Sequence, residues 1–98
     1  MKAIRLRTEY LVTPLGIDVL IPRFFWNCED GKKQTAYQIC CTCEGETIWD
    51  SGKVYSDKMT GVFYEGRELI SRAKVIWSVR LWDEQDNPGE AVYSHFEM

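Results

Sequence analysis

Lys74-Val75-Ile76-Trp77-Ser78-Val79-Arg80-Leu81-Trp82-Asp83 alternates over its whole length. Val75, Trp77, Val79 and Leu81 fall on one side. Ile76, Ser78, Arg80 and Trp82 fall on the other. Successive side chains of an extended chain point to opposite faces, so period two marks a strand with one apolar face. The following Asp86-Asn87-Pro88-Gly89 is rich in turn formers, and Ala91 to Glu97 resumes the alternation as a last strand.

The same rhythm extends backward. Ala3 to Tyr10 reads as a first strand, with Ile4 and Leu6 facing one way and Arg5 and Arg7 the other, broken by Pro14-Leu15-Gly16. Pro22 opens a strand over Arg23 to Cys28 that carries Phe24, Phe25 and Trp26. After the turn Glu29-Asp30-Gly31-Lys32, Thr35 to Cys43 places Tyr37, Ile39, Cys41 and Cys43 on one face, and Gly45 closes it. Thr47-Ile48-Trp49 is a short strand ending at Asp50-Ser51-Gly52. Lys53-Val54-Tyr55 follows, and Gly61 to Tyr64 is another strand. Glu65 to Lys74 has room for one helical turn but has no sustained apolar stripe. About seven short strands with regular turns predict an all-β, immunoglobulin- or fibronectin type III-like sandwich. Trp26, Tyr37, Ile39, Val75, Trp77, Val79 and Leu81 are expected in its core.

With 98 residues the chain reads as a single domain over 1–98. The net charge of −3 and scattered Lys and Arg argue against nucleic-acid binding, which needs a concentrated basic face. No apolar stretch nears the ~20 residues of a membrane span, and the start, Met1 to Arg7, has no continuous apolar region of the kind a signal peptide carries. Cys28, Cys40, Cys41 and Cys43 are expected to be reduced thiols, because Cys40 and Cys41 point to opposite faces and the spacing lacks paired zinc-ligand motifs. Neither a metal nor a cofactor is expected, and reduced thiols point to the cytoplasm.

Five blocks then occur in order: Pro22-Arg23-Phe24-Phe25-Trp26, Gln34-Thr35-Ala36-Tyr37-Gln38-Ile39, Trp49-Asp50-Ser51-Gly52-Lys53-Val54, Trp77-Ser78-Val79-Arg80-Leu81-Trp82-Asp83 and Phe96-Glu97-Met98. Pro14-Leu15-Gly16-Ile17-Asp18 precedes them. Together they resemble the N-terminal fibronectin type III-like domain of bacterial α-L-rhamnosidases. The resemblance implies a large multidomain glycosidase whose catalysis belongs to a downstream α/α barrel. It implies that this stretch is an N-terminal accessory fragment with no catalytic residue and no activity alone. It also implies partners in the downstream domains of the same polypeptide. The chain departs from the fibronectin pattern at one point. Val75 stands where a tyrosine-corner tyrosine is common, and Ser71 stands in place of a proline.

The carboxylate pairs Glu29-Asp30 and Asp83-Glu84 lie in predicted turns, where solvation is ordinary, and the lone His95 reads as an exposed strand residue. The aromatic residues offer more. Trp49, Tyr55 and Trp82 are the candidates for an exposed surface that either docks on neighbouring domains or contacts a sugar ring. Weak self-association of the isolated domain is a further expectation of such a patch.

Overall fold

The computed structural model describes residues 2–8, 22–28, 33–67, 69 and 73–97. Seven strands follow one another: β1 (Ala3–Thr8), β2 (Arg23–Cys28), β3 (Ala36–Cys43), β4 (Glu46–Asp50), β5 (Val62–Phe63), β6 (Lys74–Trp82) and β7 (Val92–Glu97). They form two antiparallel sheets, β1-β2-β5 and β4-β3-β6-β7. The described residues contain no helix. Pro14-Leu15-Gly16, Glu29-Asp30, Ser71 and part of the segment with room for a helical turn lie outside them.

Alternation along β6 sets the architecture. Val75, Trp77, Val79 and Leu81 are buried, while Lys74, Ile76 and Arg80 are exposed on the opposite side. β3 pairs with β6 over its full length, from Ala36↔Trp82 to Cys43↔Val75, so Tyr37, Ile39 and Cys41 share the inward face. From the other sheet, Phe24 sets its ring 4.5 Å from that of Trp77, and Trp26 meets Tyr37 edge-on at 5.3 Å. All seven expected core residues are buried. Gln34 joins them: it accepts a hydrogen bond from Trp26 Nε1 and donates Nε2 to the carbonyls of Ser56 and Lys58.

Two expectations need correction. In β1 the buried residues are Ala3, Leu6 and Thr8, and Ile4 is only half-buried. A bulge lies between Ile4 and Arg7, with Arg5 at φ 54°, so one extra residue shifts the phase and Ile4 and Leu6 no longer share the core face. Lys53-Val54-Tyr55 is not a strand but a single bridge, Tyr37↔Val54.

The turns follow their residues. Glu44 and Gly45 both take positive φ between β3 and β4, the pattern of a tight hairpin whose twist matches the strands. Between β6 and β7, Asp83 Oδ1 accepts from the backbone N–H groups of Gln85 and Asn87, and Gly89 N–H reaches back to Leu81 O. The Asp83 carboxylate therefore anchors a turn.

Candidate docking and sugar-contact surface

The run Trp49 to Val54 builds the surface. Asp50 Oδ1 accepts from Gln38 Nε2 and from Gly52 N–H, both at 2.9 Å, and these bonds hold its carboxyl below the usual range. Ser51 continues the ladder beyond β4. Its N–H donates to Ile39 O, and its Oγ accepts from Ile39 N–H at 2.8 Å. Gly52, at φ 66°, supplies the left-handed backbone that lets the chain turn. Val54 then exchanges two backbone hydrogen bonds with Tyr37.

This path throws Lys53 outward. Its ammonium lies 2.6 Å from Asp86 Oδ1, 4.6 Å from the ring centroid of Tyr55 and 4.9 Å from that of Trp82. The hydrogen bond to Asp86, more than the neighbouring Tyr55, raises the Lys53 pKa. The cluster is an exposed cation–aromatic corner closed by an ion pair.

The three aromatic candidates do not share one platform. Tyr55 (75 % exposed) and the half-buried Trp82 flank Lys53. Trp49 pairs with Cys41 on the inward face, stacks on Phe24 at 6.1 Å and meets Tyr64 edge-on at 5.5 Å. Trp82 pairs with Ala36 on the outward face. The two indoles thus face opposite sides of one sheet, five positions or about 17 Å apart along β3. Lys53 lies over Trp82, and the backbone of Trp82 bridges to Pro88.

Sequence reasoning missed two features of this region. Lys53 carries no signal of its own, since a lysine after a glycine turn reads as a solvated charge. The outward face of the larger sheet was also passed over, although Ile76 and Tyr93 are 53 % and 69 % exposed there. Its signal was a large apolar residue at an outward position of an otherwise amphipathic strand. His95 is exposed, cross-strand from Ile76. No cluster of His, Cys, Asp and Glu suited to a metal occurs among the described residues.

Two twisted antiparallel sheets packed over an aromatic core, with turn carboxylates tied into backbone bonds, define an immunoglobulin-type β-sandwich. The chain belongs to the family described as the Rha78A-like, N-terminal immunoglobulin domain, whose model matches residues 3–98. It is 37% identical to an α-L-rhamnosidase of Streptomyces avermitilis over 101 residues, which cover 92% of this chain and 10% of that protein. It is also 37% identical to an α-L-rhamnosidase of Alteromonas sp., covering 92% of this chain and 11% of that one. Among solved structures, it superposes on the Streptomyces avermitilis α-L-rhamnosidase complexed with L-rhamnose with TM-score 0.89 and 34% identity, over 99% of this chain and 10% of that one. The α-L-rhamnosidase from Dictyoglumus thermophilum gives TM-score 0.88 and 34% identity, over 100% of this chain and 12% of that one. The chain thus spans about a tenth of the length of the relatives it matches.

Proposed function

We propose that this chain is a non-catalytic accessory domain at the N-terminal end of an α-L-rhamnosidase, a glycoside hydrolase that removes terminal α-L-rhamnose from glycosides. Its role is to pack against other domains of the same polypeptide. The observation that carries this reading is coverage: nearly all of this chain matches about a tenth of rhamnosidases of known structure. A glycosidase needs two carboxyl groups facing each other across a cleft, about 5–9.5 Å apart. Here Asp50 and Asp83 serve turns and Asp86 serves Lys53.

Carbohydrate contact is the second reading, favoured by the exposed ring of Tyr55. Docking is preferred because Lys53 lies over the rings of both Tyr55 and Trp82 and Trp49 turns inward, so the three do not offer the broad aromatic face that sugar platforms use. The unpaired thiols support a reducing, cytoplasmic setting.

Deleting the domain from the full-length rhamnosidase tests the proposal. The expected result is a lower unfolding temperature, with KM for an aryl rhamnoside unchanged in the molecules that remain folded. The 98-residue chain should neither hydrolyse that substrate nor give heat on titration with rhamnose. Turnover by the chain that is lost on mutating one of its carboxylates would overturn the proposal. Saturable rhamnose binding would replace docking with the carbohydrate reading.

A further inference from the structure

The two outer faces of the sandwich differ. On the three-stranded sheet, Phe25 points away from the core and is 2 % exposed, and Phe63 beside it is a single exposed ring at 54 %. On the four-stranded sheet the outward face is open around Ile76 and Tyr93, away from Trp82 beneath Lys53. Register places Cys40, Ser78 and Tyr93 in one row across β3, β6 and β7, and Thr42, Ile76 and His95 in the next. The short side chains of Cys40, Thr42 and Ser78 form the floor of a shallow hollow of about 250 Å³, with Ile76 and Tyr93 standing proud beside it. Charge surrounds this centre, with Lys74 and Glu97 cross-strand at one end, Arg80 lining the hollow at the other and Asp50 beside Cys40 on the β4 flank. An apolar centre with a small-residue floor and a charged rim is the anatomy of a protein interface.

We propose that this face seats the polypeptide that follows β7 in the rhamnosidases, burying Ile76 and Tyr93 against the next domain. The occupant is argued from two observations. In this family the immunoglobulin domain is the N-terminal one, so the remaining nine-tenths of the matched enzymes leave from the β7 side. Tyr93 and His95 of β7 lie on this face. The inference rests on the docking reading above and specifies its surface.

Cys40, in the floor, is a built-in reporter, and Cys41 behind it faces the core and serves as reference. N-ethylmaleimide labelling, resolved by peptide mapping, is compared between the 98-residue chain and the full-length rhamnosidase. Cys40 should label in the short chain and at least about tenfold more slowly in the full-length protein, as expected where opening must precede reaction. Equal rates would overturn the proposal. So would concentration-dependent protection in the short chain, which would make a second copy the occupant. Hydrogen exchange on the same two proteins separates the two levels of inference. Protection confined to another face overturns this surface and leaves docking intact; protection nowhere overturns both. Ile76→Asp should lower the unfolding midpoint of the full-length protein and leave that of the short chain unchanged. An unchanged full-length midpoint would also overturn the proposal.

Discussion

The indole Nε1 of Trp26 lies 2.9 Å from Oε1 of Gln34, a buried hydrogen bond inside the sandwich. The Gln34 amide is used at both ends, because its Nε2 also holds the carbonyls of Ser56 and Lys58. It thereby ties β2 to the segment ahead of β5.

Gln34→Leu should therefore be costly despite its apolar character. It strands one buried donor and removes the partner of two carbonyls, a loss of about 2–4 kcal/mol. Denaturant melts measure it. Adding Trp26→Phe to Gln34→Leu should cost less than Trp26→Phe does alone, since the N–H it removes is already unpaired.

Trp77 and Trp82 should respond differently to truncation. Trp77 is fully buried against Phe24, and Trp77→Ala should cost about 3–5 kcal/mol by opening a cavity. Trp82 is half-buried beneath Lys53, and Trp82→Ala should cost less than about 1.5 kcal/mol. Equal large losses in denaturant melts would make Trp82 a core residue.

Gly66 leaves no space for a methyl group. A Cβ there would overlap Cβ of Trp49 and the backbone carbonyl of Ile48. Because one of these is backbone, the site cannot relax cheaply, and Gly66→Ala should cost about 1–3 kcal/mol in thermal or chemical melts.

Alkaline pH should destabilise the domain through Tyr64. Burial, reinforced by the nearby Cys41 thiol, raises its pKa from 10.0 to about 12, and its hydroxyl donates to Arg67 O. A raised folded-state pKa contributes stability that is complete below the unfolded value near 10. That contribution is lost as pH rises towards 12. The urea midpoint should fall over this window. Tyr64→Phe should show a shallower fall.

Thiol titration of the unfolded protein, prepared without reductant, should count four free cysteines. In the native chain Cys41 should react slowest, because burial pushes its thiol pKa well up and removes it from solvent. A count of two or fewer would contradict a reducing setting.

How far the fold could be read depended on whether its cause was local. β6 was legible because every inward position carries a large apolar residue, and pairing with β3 then fixed the second inward face. The phase change in β1 was not, because Arg5 at φ 54° leaves no trace in residue type. Gln34 was hidden for another reason: its partners Ser56 and Lys58 lie 22 and 24 residues away, so a polar residue at a strand entrance gives no hint of burial. For the candidate surface, aromatic content nominated Trp49, Tyr55 and Trp82. Only strand register could reveal that the two tryptophans face opposite sides.

The turn after β5 also has a bearing on solubility. β4 is an outer strand of its sheet, and a bare strand edge is a template on which another chain can add. Arg67 N–H donates to Ile48 O on that edge, and the Arg67 guanidinium pairs with Glu46 at 2.8 Å. The protein's own chain thus occupies part of the position a foreign strand would take. Gly66, by permitting so close an approach, helps guard the sandwich against edge-to-edge aggregation.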